Sequence, residues 1–489
     1  MMKKANDSTR PFGMRDKLSY AAGDCACSFS FALKSYLFMF YTQFIGLPVY
    51  VWSIIILLAQ IWDAINDPIV GSLVDSMKPG KRGKYNSWIF YGSIILLVSG
   101  AGLFIPIPNA PMWVKIVVAS LGYFLWDLSY TMVNVPYGTM AGVITADSTE
   151  RAELSTWRTI GSFVPNLIIM VVIPMIVYDK DNNLLGNNVF YVALVFGVLA
   201  FFLFQWMMKT TVIRVQIPET TGEKKKFNYG RAIKNFFKNR SIVGITLAGM
   251  IMFIVFNGMT AANAVLVQTY FKASRISGLM SLITIVPYVI CMFITKPLVK
   301  KLGKQNAAAY PLLIGVLGSL VLLVYNPPMS ITGYIIWQCI MFFVSLSYAV
   351  FSFVTWAMVA DAIDYNEWKT GERDEGTTYG IFAFGRKLAQ GIGASAIGLL
   401  LVAVGYVEET AAIQTEEVAQ NIKYLVAGLY LGGMTLMFIC LKFIYNIDKK
   451  TVIEMETALG RNTEKLIGDT SEDLDEEVIE EIHTQNDEE

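Results

Sequence analysis

The sequence predicts an all-α membrane protein with twelve transmembrane helices in two six-helix bundles. Three observations predict it. Of the 489 residues 54% are hydrophobic and 16% charged, against roughly 45–50% and about 25% in a soluble domain, too few charges to cover a water-facing surface. Mean hydropathy is +0.49. Twelve apolar runs reach the roughly 20 residues that cross a bilayer, and only helices satisfy every backbone polar group within such a run. A polar, basic stretch in the middle divides the runs six and six.

The N-terminus, Met1 to Lys17, is polar and has no short apolar core ending in small residues, so it is expected to be retained. The first run lies near 19–44. Asp24, Ser28 and Phe31 share one helical face there, with Cys27 and Lys34 beside it. Lys34 lies too deep in the run merely to snorkel; it can pair with a carboxylate or receive an anionic group of a substrate. The second run, 50–74, carries the densest polar group, Asp63, Asn66 and Asp67, within one helical turn. Two carboxylates so close in low dielectric must share a cation or a proton, and hard oxygen ligands suit Na⁺ or H⁺. Asn66 adds a neutral oxygen that a site for a proton alone would not need, which favours Na⁺. A polar contact between helices would use the same residues.

A short loop follows, marked by the spacing Gly71-x-x-x-Asp75 and by Arg82-Gly83-Lys84, with Asp75, Arg82 and Lys84 as gating candidates. The third run spans 87–106 and the fourth 113–143. In the fourth, Asp127, Tyr130, Thr131 and Asn134 recur at spacings of three and four before a kink at Pro136. Thr131 can complete a cation shell, and Tyr130 and Asn134 can hydrogen-bond a ligand. The fifth and sixth runs are 158–178, opened by Arg158, and 188–208. The break 209–240 is the most basic stretch and contains Lys224-Lys225-Lys226. Runs at 241–266, 276–295, 307–325 and 331–359 follow. The loop expected after the last of these mixes signs through Asp361, Asp364, Glu367 and Arg373, which suits a salt-bridged latch. The eleventh run, 378–404, contains Arg386 and Lys387, and the twelfth spans 422–445. The expected organisation is an N-terminal bundle, 1–208; a central loop, 209–240; a C-terminal bundle, 241–445; and an acidic tail, 446–489. Most of the 39 Lys and Arg fall on the side of the N-terminus, so both termini are expected in the cytoplasm of a cell-membrane protein.

These blocks resemble the glycoside–pentoside–hexuronide:cation symporter family of the major facilitator superfamily. The resemblance runs from Lys17-Leu18-Ser19-Tyr20 with Gly23-Asp24, through Trp62 to Pro68, Gly83-Lys84-Tyr85, Tyr130-Thr131 with Pro136-Tyr137-Gly138, and Glu150-Arg151 with Arg158, to Asp361–Arg373 and Arg386-Lys387. It implies sugar uptake coupled to a cation held by Asp63, Asn66, Asp67 and Thr131, with Lys387 bridging the carboxylates and Arg158 matching the fifth-helix arginine. Where the melibiose-transporting member grips its galactosyl unit with aspartates, this chain has Ser28 and Asn134, so galactoside specificity does not carry over. Asp24, Ser28, Lys34, Tyr130, Asn134, Arg158 and Lys387 remain the substrate-binding candidates.

The expected function is secondary active symport of a glycoside, pentoside or hexuronide with Na⁺ or H⁺ by alternating access; the alternative is a lysolipid or other amphiphile transporter on the same fold. No cofactor beyond the coupling ion, no nucleic acid and no obligate protein partner is implied. The single histidine, His483, and the absence of a Ser/His or Gly-rich phosphate arrangement argue against an enzyme. The five cysteines lie in apolar stretches and imply no disulfide framework.

Overall fold

Apolar runs of this length must close their backbone hydrogen bonds internally, and they do so as helices. The computed structural model describes residues 10–76, 82–145, 147–214, 238–371 and 375–459. In chain order the helices are α1 (Met14–Phe31), α2 (Val49–Ser76), α3 (Lys84–Leu103), α4 (Met112–Ile144), α5 (Ser148–Val177) and α6 (Gly186–Thr210). Beyond residue 238 come α7 (Arg240–Met252), α8 (Thr260–Thr269), α9 (Ser277–Ala309), α10 (Pro311–Val324), α11 (Ile331–Thr370), α12 (Glu375–Ala403), α13 (Glu416–Ile439) and α14 (Lys449–Ala458). These regular elements are all helices, and Tyr178 and Leu184 form an isolated antiparallel bridge.

Ten helical stretches among the described residues are long and apolar enough to cross a membrane. One of them, Ser274–Val324, is 51 residues long, more than two spans of roughly 20 residues. Within it Gly303 takes a left-handed backbone, φ 74°, and breaks α9. There Gly303 packs on Lys449 of α14, where an added Cβ would lie 2.9 Å from the Lys449 Cβ. The first apolar run is not one continuous α-helix. After α1 the chain passes through a 3₁₀ turn, Ala32–Tyr36, and a π turn, Phe40–Phe44. Two further π turns, Phe253–Gly258 and Cys440–Ile444, follow α7 and α13.

One expectation is corrected. Asp361, Asp364 and Glu367 do not form a loop; they lie on the last turns of α11, which runs for 40 residues. At 1.5 Å per residue such a helix is about 60 Å long and overshoots a hydrocarbon core of roughly 30 Å. Its charged end therefore stands beyond the core, where charge and helix are compatible. The helix stops at Gly371, left-handed at φ 70°, whose N–H donates to the Glu367 carbonyl at 2.8 Å.

The same neighbours recur on both sides of the central segment. α1 packs on α5 and α6, α2 and α3 on α4, and α3 on α6; correspondingly α7 packs on α12 and α13, α9 and α10 on α11, and α10 on α13. Among the pairings that cross between the sets are α2 with α12 and α5 with α9. The first is close because α12 presents glycines: an added Cβ on Gly391 would lie 2.5 Å from Gln60 Cβ. Away from these contacts the surface is apolar, with Trp113, Phe202, Phe293 and Val324 exposed, as a lipid-facing surface requires.

Candidate cation and substrate site

The polar turn of α2 faces α12 and α4, so three helices converge on it. Lys387 of α12 reaches across the boundary between the helix sets, its Nζ 3.3 Å from Asp63 Oδ1 and also bonded to Asp67 Oδ2. Thr131 Oγ1 of α4 donates to the other Asp67 oxygen at 3.0 Å. Asn66 is buried, and its Nδ2 has no hydrogen-bond partner among the described residues. Asp127, one turn before Thr131, is 4% exposed with Oδ2 likewise unpartnered there. Spacing dictates this convergence: residues 63 and 67 are one turn apart on α2, while 127 and 131 are one turn apart on α4.

Two carboxylates beside one ammonium leave an excess negative charge in a medium where charge is expensive. That is an arrangement competent to take one further monovalent cation on carboxylate, hydroxyl and amide oxygens.

A second ion pair lies within the N-terminal set. Arg158 Nε of α5 donates to Asp24 Oδ1 of α1 at 2.9 Å, and its guanidinium lies 5.2 Å from the Tyr137 ring. Tyr137 stacks on Tyr20 at 4.8 Å and donates to the Tyr20 carbonyl at 2.8 Å. The Arg158 side chain keeps 39% of its exposure, and that of Asp24 keeps 14%. Asn134 Oδ1 meets Cys27 Sγ at 4.0 Å. Tyr130 packs between Phe31, at 5.4 Å, and Trp126, at 5.9 Å, and Ser28 is buried on α1. Lys34, on the 3₁₀ turn after α1, lies over the rings of Phe31, Tyr123 and Trp126 at 4.8, 5.8 and 5.9 Å, an aromatic box that stabilises the ammonium by cation–π attraction.

The gating candidates divide. Asp361 is bonded to Lys304 Nζ through both carboxylate oxygens, at 2.7 and 2.8 Å, tying α11 to α9. Arg82 stacks over the Phe90 ring at 3.4 Å, Lys84 begins α3, and Asp364 and Glu367 sit on α11. The Asp75 side chain, Arg373, the lysine cluster at 224–226 and the acidic tail beyond 459 lie outside the described residues. One set of contacts was missed by the sequence reasoning. Gln43, after α1, and Gln268, on α8, exchange amide hydrogen bonds at 2.7 and 3.1 Å. Gln43 also donates to Tyr406 at 2.8 Å, and Gln268 to the Asn182 carbonyl at 2.8 Å. This neutral interlock joins the two helix sets. An amide in an apolar run was the available signal.

Comparison with known proteins gives a consistent picture. The family described as MFS/sugar transport protein matches residues 19–449. A Bacillus subtilis (strain 168) protein named as an uncharacterized symporter is 30% identical over 90% of this chain and 94% of its own length. The isoprimeverose transporter of Lactiplantibacillus pentosus is 31% identical, with 89% of each chain covered. The glucuronide carrier protein homolog of Escherichia coli (strain K12) is 26% identical over 89% of this chain and 93% of its own. Among solved structures, the nucleoside transporter NupG superposes with a TM-score of 0.59 at 11% identity, covering 88% of this chain and 100% of the other. A D-xylose-proton symporter gives 0.55 at 13% identity over 84% and 95%. At those identities the superpositions show the fold alone.

Proposed function

The chain belongs to the MFS/sugar transport protein family, a family of membrane transporters and not of enzymes, and from that premise we propose that it is a cation-coupled symporter of a glycoside, pentoside or hexuronide. Its relatives by name include carriers of isoprimeverose and of glucuronides, in line with the glycoside–pentoside–hexuronide resemblance. The observation that carries the proposal is the Lys387 bridge to Asp63 and Asp67, because it joins the two helix sets through charge. While α12 lies against α2, the lysine offsets one of two negative charges. When the sets rock apart the ammonium withdraws, and both carboxylates then need another cation. Na⁺ or H⁺ at Asp63, Asn66, Asp67 and Thr131 thus sets which arrangement is favoured, and a sugar that prefers the same arrangement gains affinity by the same factor. Asp24 and the part-exposed Arg158 supply acceptor and donors for sugar hydroxyls, or for a hexuronate carboxylate at the arginine.

The topology that goes with this reading has twelve spans in two bundles of six. The ten long stretches become twelve when the segment from Met14 to Phe44 is counted and Ser274–Val324 is divided near Tyr310. Both termini are placed in the cytoplasm of a cell membrane, following the lysines and arginines. Uptake of labelled xylosides, glucosides and glucuronides into proteoliposomes, under an imposed Na⁺ or pH gradient, tests the function. Stimulation by one gradient, lost in Asp63→Asn and Asp67→Asn, is expected; gradient-independent uptake by the parent protein overturns the coupling.

A further inference from the structure

A cavity of about 460 Å³ lies between the helix sets, apart from the Asp63–Lys387 cluster, within the roughly 300–1,000 Å³ typical of ligand sites. None of its lining side chains carries a charge. Its walls combine hydroxyls, amides and aromatic rings, chiefly from α8, the start of α9, α11 and α13.

Local structure presents those groups. The π turn Phe253–Gly258 precedes α8 and sets the face on which Asn263 stands. Asn263 Nδ2 donates to Tyr430 at 2.9 Å, and Gln338 Nε2 to Tyr334 at 2.8 Å. Among the described residues, the hydrogen bonds of these two side-chain amides engage one N–H each. An amide has four hydrogen-bonding positions, so each is held in place and retains capacity for a ligand. Trp337 is backed by Phe271 at 5.7 Å and adds an aromatic wall. Ser274, on the short 3₁₀ turn before α9, is 2% exposed and lines the cavity; its Oγ has no hydrogen-bond partner among the described residues. A buried hydroxyl without a partner is uncommon and marks a place where a ligand group can bond.

We propose that this cavity is a binding site for an uncharged polyhydroxylated ligand, a neutral glycosyl unit, held by Asn263, Gln338 and Ser274 and packed on Trp337. A neutral ring with hydroxyls on its rim and C–H groups on its face meets both kinds of wall. An ionised ligand does not, because burying a charge requires a counter-charge and the lining has none. Tyr36 and Tyr178 close the cavity from the N-terminal set, so an occupant touches both sets and favours the arrangement in which they meet here. The inference rests on the reading of the chain as a glycoside carrier and assigns the neutral part of the substrate to the C-terminal set.

The test is equilibrium binding of the methyl glycosides of xylose, glucose, galactose and glucuronic acid to the purified full chain, beside proteoliposome uptake of the same four. The parent protein is expected to bind at least one neutral glycoside. Gln338→Leu, which removes the amide, and Ser281→Phe, which fills the cavity from α9, each weaken that binding by about tenfold or more while the proteins elute as the parent does. If the parent binds and transports a neutral glycoside and both variants bind it within about twofold of the parent, this inference falls and the transport reading stands. If the parent neither binds nor transports any of the four, both fall. Binding of the glucuronide alone also overturns the inference.

Discussion

Two of the polar contacts that join the helix sets are built from opposite chemistry. The contact of Lys387 with Asp63 and Asp67 is ionic and set among groups that can hold a further cation. The interlock of Gln43, Gln268 and Tyr406 is neutral and self-satisfied. An ionic contact changes its strength when an ion arrives or a proton leaves, whereas an amide pair responds to neither. On the proposed coupling, the difference separates sensing from holding: one contact would read the ion, and the other would close the protein at a strength that ions do not alter.

The largest effect is expected at the ionic contact. Asp67→Asn should reduce gradient-driven uptake by on the order of 100-fold, because it removes the excess negative charge that a further cation would neutralise and leaves Lys387 paired with Asp63 alone; near-parental uptake with full Na⁺ or pH dependence would place coupling elsewhere. Next is Gly391→Leu, where the side chain must displace Gln60. Overpacking of this kind costs about 1–3 kcal/mol and should both lower the thermal midpoint and weaken the cation response by lifting Lys387 from its carboxylates. A lowered midpoint with an unchanged cation response would show that the glycine serves packing alone.

Lys304→Met is a control on the comparison, since its partner Asp361 lies within the same helix set and is 7% exposed at its side chain. The orphaned carboxylate should destabilise the protein by about 1–3 kcal/mol, and adding Asp361→Asn should recover part of that, without change in ion selectivity. Smallest is the interlock. A double-mutant cycle of Gln43→Leu and Gln268→Leu, read by thermal unfolding, should give a coupling of about 0.5–1.5 kcal/mol. The value should be the same at low and high salt; a salt-dependent coupling would erase the distinction between the two regions.

The charged cluster was legible in the sequence because a carboxylate inside an apolar run is an anomaly, and two of them one turn apart on α2 are a stronger one. The partner on α12, 320 positions away, came from family resemblance; no spacing rule reaches that far. The amide interlock was illegible for the converse reason. Gln43 and Gln268 cost little to insert, and 225 positions separate them. The end of α11 was misread because the charges at Asp361, Asp364 and Glu367 were equated with a loop, while a helix that outruns the bilayer accommodates both. The cavity also escaped notice: serines, threonines and tyrosines are ordinary within spans, and what distinguishes them is the space they enclose.

The three π turns have a consequence for how the chain tolerates change of length. Each residue advances an α-helix by about 100°, so a turn wide by one residue is a phase shift between the helical segments on its two sides. At Phe253–Gly258 that shift lets α7 keep its apolar stripe toward its neighbours while α8 turns Asn263 toward Tyr430. Deleting one residue there would leave composition and hydropathy almost untouched, yet swing every side chain of α8 onto a different azimuth. The position is a point of register, at which the identity of any one side chain matters less than the count of residues.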